Sequence, residues 1–99
     1  MLGINQPPVA IEEIERHIIN GAAARAAGDV GVASAAYLTA ANGYVAINEF
    51  DAAIDACLRA LEARPGSIDV HFTMAHLYLQ RGWADLGVQR VKLIDHRLG

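Results

Sequence analysis

Cysteine is almost missing from this chain: Cys57 stands alone, so no internal disulfide framework can form. A small secreted domain ordinarily carries several. Serine and threonine are also scarce, and Ser34, Thr39, Ser67 and Thr73 are the whole set. None lies in a nucleophile elbow or a glycine-rich phosphate loop. There is no excess of positive charge. Eight basic residues face eleven acidic ones, the formal charge is -3, and the basic side chains form no stripe. That argues against a grip on nucleic-acid phosphates. The start, Met1 to Pro8, has neither a basic end nor an apolar run, so no secretory leader is expected. The longest charge-free stretch, Val30 to Asn48, has few large aliphatics and no flanking basic anchors. It reads as a helix buried between neighbours, not as a membrane span. A soluble, cytoplasmic chain is the expectation.

What is present is apolar and rich in alanine. Apolar residues make up 54% of 99 residues and charged ones 19%, which suits one small folded domain and not a disordered chain. No segment alternates strictly between apolar and polar, so no strand is expected. Helix signals are frequent. Pro7 and Pro8 open a first helix in which Ile11, Ile14, Ile18 and Ala22 keep one face. Gly28 stops it, and Asp29 caps a second helix over about Val30 to Ile47, which Asn48 ends in a left-handed turn. The stretch Gly28-Asp29-Val30-Gly31 is expected to be a turn. A third helix starts near Asp51 and ends at Pro65-Gly66. Ser67 caps a fourth, which Gly82 closes, and a fifth covers roughly Ala84 to Leu98 with Val88, Val91 and Ile94 towards its partner.

The back two-thirds repeat. Tyr37, Ala41, Tyr44, Ala53, Cys57 and Ala60 recur at a shift of 34 as His71, Ala75, Tyr78, Gly87, Val91 and Ile94. Thr39 recurs as Thr73. A shorter echo, at a shift of 20, carries Gly28, Asp29, Ala33, Tyr37 and Ala40 onto Asn48, Glu49, Ala53, Cys57 and Ala60. The second helix therefore reads both as the end of one hairpin and as the start of the next. A fixed period of this length means stacked helical units, each unable to bury its apolar face alone.

The repeated positions resemble the tetratricopeptide repeat. Its pattern places an aromatic, a leucine-glycine pair and a tyrosine on a first helix, then small residues and an aromatic, then a proline. The first copy here reads Tyr37, Ala40-Ala41, Tyr44, Ala53, Cys57, Ala60 and Pro65; the second reads His71, Met74-Ala75, Tyr78, Gly87, Val91 and Ile94. The second departs more: its first aromatic is a histidine, and Trp83 sits one place before the usual aromatic of the turn. The resemblance covers residues 34–98. It implies an all-α fold of five antiparallel helices, an α-α superhelix with two tetratricopeptide-like hairpins preceded by an extra N-terminal helix. The expected boundaries are an arm over residues 1–8, then one helical-repeat domain over 9–99. Within it, the extra helix spans 9–27 and the hairpins span 30–64 and 67–98. Small residues at Ala41, Ala75, Ala53 and Gly87 would let paired helices cross closely. Tyr44 and Tyr78 would fill the space those residues leave.

Such repeats resemble peptide-holding scaffolds, and the resemblance implies a groove lined by Leu38, Thr39, Asn42 and Val45. From the second copy it implies Asp69, Phe72, Thr73, His76, Leu79 and Gln80. The competing reading packs Leu38, Val45, Phe72 and Leu79 on neighbouring helices. Some members clamp a terminal carboxylate with cationic residues. Here Asn42 matches one position, but Leu38 stands where a lysine would be, and only Arg81 is cationic near the groove. Charge-assisted donors are lacking, so that mechanism is not expected.

His17, His71, His76 and His96 form no metal set, since His71 and His76 are five apart and no paired cysteines accompany them. His71 takes a packing role. Cys57 on an apolar stripe reads as a small hydrophobe, and Glu12, Glu13 and Glu15 as a solvated helix start. No cofactor and no catalytic set is expected. Leu86 and Leu93 lie on a different face of the fifth helix with Arg90 and Arg97. A finished array ends in a polar helix, so either the chain continues past Gly99 or two copies meet there as a homodimer. The expected function is a scaffold that holds a partner protein or peptide segment, without nucleic acid or membrane. The alternative is a structural or self-associating regulatory segment of a larger protein.

Overall fold

The computed structural model describes residues 8–93, with side-chain burial from Ile11 onward. The described residues form five α-helices and no strand: α1 (Pro8–Ala26), α2 (Val30–Ala46), α3 (Phe50–Ala63), α4 (Ile68–Gln80) and α5 (Ala84–Leu93). The arm before Pro8, and Ile94, His96, Arg97 and Leu98, lie outside the described residues. Packing follows chain order, α1 on α2, α2 on α3, α3 on α4 and α4 on α5. The connections are short, so successive helices run antiparallel. None of the described helices is long and apolar enough to cross a membrane.

Three of the four connections are the same turn. Gly28, Asn48 and Gly82 have φ of 83°, 63° and 81°, the left-handed conformation that stops a helix. In each, the next N–H reaches back five residues: Asp29 to Ala24, Glu49 to Tyr44 and Trp83 to Tyr78, at 2.9, 2.9 and 2.8 Å. Four residues after each of these lies a buried small residue, Ala33, Ala53 or Gly87. Both echoes, at 20 and at 34, are thus geometric as well as sequential. The α3–α4 connection differs, with Arg64 extended and Pro65-Gly66 in the turn.

Several boundaries differ from expectation. α2 starts at Val30 with Asp29 as its cap, as expected, the carboxylate accepting from the N–H of Val32 at 3.2 Å, so Val30 and Gly31 are helical and not part of the turn. α3 begins at Phe50, one residue early. Ser67 precedes α4 as expected, but its side chain makes no capping bond.

The core is small-residue packing. Ala33, Ala40, Ala41, Ala53, Ala56, Ala60 and Cys57 line the seams, and Val70, Met74 and Leu77 are the bulk contributed by α4. α1 and α2 interlock reciprocally. A Cβ on Gly21 of α1 would lie 3.0 Å from the Tyr37 ring, and one on Gly43 of α2 would lie 2.6 Å from Cγ1 of Ile14. Tyr37 therefore fills the close crossing there, while Tyr44 and Tyr78 are only half-buried. On α5 the side turned to α4 is Gly87, where an added Cβ would meet Cγ of Leu79 at 2.8 Å and the Ala75 carbonyl at 3.2 Å. Val88 and Val91, expected to face the partner helix, are exposed instead. Only a glycine permits this approach, and it sets the rotation of α5. The stack is flat, with extents of 49 × 36 × 16 Å, so side chains outside the seams reach solvent.

Candidate functional site

α4 carries the most coherent candidate surface. Its buried side is Val70, His71, Met74, Ala75 and Leu77. At about 100° per residue the opposite side gathers Ile68, Asp69, Phe72, His76, Leu79 and Gln80, and all six are exposed. Phe72 is 54% exposed and Leu79 is 50%. Leu79 also leans over Gly87 of α5, so its inner edge is packed and its outer edge free. Thr73 sits at the border, half-buried, and its hydroxyl donates to the Asp69 carbonyl at 3.0 Å. Thr39 does the same to Ala35 at 2.9 Å. Both hydroxyl protons are therefore used inside their own helices, and each threonine can only accept from a ligand.

The residues expected on α2 divide. Asn42 and Thr39 are exposed, while Leu38 and Val45 are half-buried against the core. Thr39 opens into a cleft of about 240 Å³ between α1 and α2, lined also by Glu13, Ile14, His17, Gly43, Ala46 and Ile47. α2 packs on α3, and α3 in turn on α4.

A second cleft, of about 290 Å³, is lined by Tyr78 of α4 and by Leu86, Gln89, Arg90 and Leu93 of α5. Sequence reading grouped Leu86, Leu93 and Arg90 on one face, and the structure brings them together, with Tyr78 added. Arg97 lies outside the described residues.

At this cleft is a polar network that the sequence did not announce. His71 is buried and donates from Nε2 to the Pro65 carbonyl at 2.8 Å. Its Nδ1 accepts from Nη1 of Arg90 at 3.0 Å. A guanidinium only donates and a carbonyl only accepts, which settles the tautomer. The Arg90 guanidinium also lies 5.9 Å from the Tyr78 ring centre. Tyr78 meets Trp83 at 5.9 Å, Arg81 covers Trp83 at 5.3 Å, and Arg81 pairs with Asp51 of α3 at 3.2 Å. The one available signal was a histidine where the first copy has Tyr37, since a buried imidazole needs polar partners.

Cys57 is fully buried, and burial pushes its thiol up to about 12, with the positive Arg90 pulling weakly the other way. A thiol held protonated is a poor nucleophile. His17 lines the α1–α2 cleft and His76 is exposed. Among the described residues no three of His, Cys, Asp or Glu gather as metal ligands do. No protein-family model matches the chain, and no curated protein matches it.

Proposed function

We propose that this chain is a tetratricopeptide-like interaction module that holds a partner polypeptide along the outer face of α4. The observation that carries the reading is Phe72, a large aromatic left half-exposed at the centre of a regular helix, with Ile68 and Leu79 beside it. Covering the half of this aromatic that remains exposed contributes roughly 1 kcal/mol. Asp69, His76 and Gln80 form a polar margin that orients a ligand, and Asn42 on α2 supplies an outlying contact. The partner segment is apolar at its centre and carries no acidic group where it meets the helix, because α4 offers Asp69 and no lysine or arginine before Arg81. The module works by binding and carries no chemistry of its own, in the cytoplasm.

The test is comparative purification. Phe72→Ala combined with His76→Ala loses the partners that the unaltered chain retains, while Leu58→Ala, on the exposed side of α3, keeps them. Unchanged partners in the double variant end this reading.

A further inference from the structure

Among the described residues the two ends of the stack are open, and their surfaces are complementary. α3 packs extensively on both α2 and α4, whereas the extensive packing of α5, among the described residues, is on α4. The internal repeat shows what that leaves uncovered. Shifted by 34, Arg90 corresponds to Ala56, which is fully buried in the first unit, where a further helix follows. Leu86 corresponds in the same way to Ala52, which is half-buried, and is itself 46% exposed. Leu86, Arg90 and Leu93 follow one another at spacings of four and three, so they form one ridge on the edge of the tail cleft.

At the other end, α1 turns Ile14 and Gly21 towards α2. Its far side carries Ile11, Glu15, Ile19, Ala22 and Ala26 at spacings of four, four, three and four, again one continuous ridge. All five are exposed, and Ile19 is the most exposed large apolar side chain described, at 66%. The alanines allow close approach of another backbone. The ridge itself carries one charge, the carboxylate of Glu15, with Arg16 and Arg25 elsewhere on α1, and the tail ridge carries one, the guanidinium of Arg90, with Lys92 and Asp85 elsewhere on α5. Arg90 makes no ion pair with a described residue.

We infer that α1 of a second copy of this chain seats in the tail cleft, where the repeat pattern leaves room for one more helix. Glu15 stands between Ile11 and Ile19 as Arg90 stands between Leu86 and Leu93. Laying one ridge on the other therefore sets carboxylate against guanidinium and apolar against apolar. The His71 contact pre-orients Arg90 for that role, using one of the five N–H donors of the guanidinium. The two faces differ, so the contact is heterologous and extends head to tail instead of closing on a two-fold axis. It prolongs the stack in the way its own units already stack. This arrangement does not depend on the α4 face.

Sedimentation velocity of the full chain from micromolar to millimolar concentration tests it. The expected mass rises with concentration past that of a dimer, and falls when salt is added. Ile19→Lys disables the head and Leu86→Lys disables the tail. Each variant alone stays monomeric, its association weakened about a hundredfold or more by a lysine at the seam. Mixed in equal amounts they form a one-to-one complex, since each retains the face that the other lost. A wild-type chain that remains a monomer throughout overturns the inference, and needs no variant. So does either variant associating as the wild type does, or a mixture that stays monomeric. Circular dichroism checks that both variants keep their helices, and Ile19→Ser and Leu86→Ser replace any that do not.

Discussion

Nη1 of Arg90 donates to Nδ1 of His71 at 3.0 Å, and so ties α5 to the buried side of α4. The imidazole passes the restraint on to the Pro65 carbonyl in the α3–α4 turn. Arg90→Ala leaves a buried acceptor unpaired and lowers stability by about 1–3 kcal/mol. His71→Ala removes the ring as well, and costs about 2–4 kcal/mol. The double variant loses less than the sum, because both single changes break the same contact. Arg90→Lys does not restore the loss, since an ammonium lacks the planar fork. Urea unfolding measures all four, and strictly additive costs would mean the two groups do not act together.

The Ile14–Gly43 crossing makes a prediction with a change of sign. Alanine is favoured over glycine inside a helix by about 1 kcal/mol. At Gly43 the added methyl would meet Ile14 Cγ1 at 2.6 Å, so the buried Ile14 side chain would have to shift. Overpacking of this kind costs about 1–3 kcal/mol, so Gly43→Ala destabilises the chain. In an Ile14→Ala background the obstruction is gone, and Gly43→Ala then stabilises it. Thermal unfolding of the four proteins reads the sign directly.

The helix starts are unequal. Asp29 caps α2 with its side chain and Ser67 does not cap α4. Asp29→Ala costs about 1 kcal/mol, and Ser67→Ala no more than about 0.3 kcal/mol. Equal losses at the two positions in chemical denaturation would contradict the observed caps.

Cys57 couples stability to alkaline pH. The folded thiol ionises near 12 against an ordinary 9.0, because burial disfavours the thiolate. Above pH 9 the unfolded chain loses a proton that the folded chain keeps, so the unfolded state is favoured. The Cys57 contribution is complete below pH 9 and is lost as pH rises towards 12. Cys57→Ala removes that part of the decline. At pH 8 the thiol stays unreacted with an aromatic disulfide reagent until denaturant is added.

The helices were legible because their stops are local. Gly28, Asn48 and Gly82 adopt left-handed backbone for reasons that each residue carries by itself. The α4 face was legible in part for a related reason: Asp69, Phe72, His76, Leu79 and Gln80 follow helical spacing and are exposed, whereas Thr73 is half-buried and Ile68, exposed beside them, was missed. The rotation of α5 was not. Its sequence holds two competing stripes, Val88 with Val91 and Leu86 with Leu93. Hydrophobicity cannot rank them, because the decision belongs to the close approach at Gly87. Leu38 and Val45 share the first copy's groove register with Asn42, yet they pack on the core, which no spacing within α2 reveals. Arg90 shares a face with Leu86 and Leu93 in the sequence, but its bond to His71 was not legible, since that partner lies on another helix.

The account turns on Phe72 meeting another polypeptide. Site-specific photocrosslinking in cells, from a benzophenone side chain placed at position 72, captures that contact whatever the partner is. The same probe at Leu58, on the exposed side of α3, serves as the comparison. The account predicts a discrete, heavier adduct from position 72 and none from position 58. No adduct at 72, or the same adducts from both positions, would contradict it.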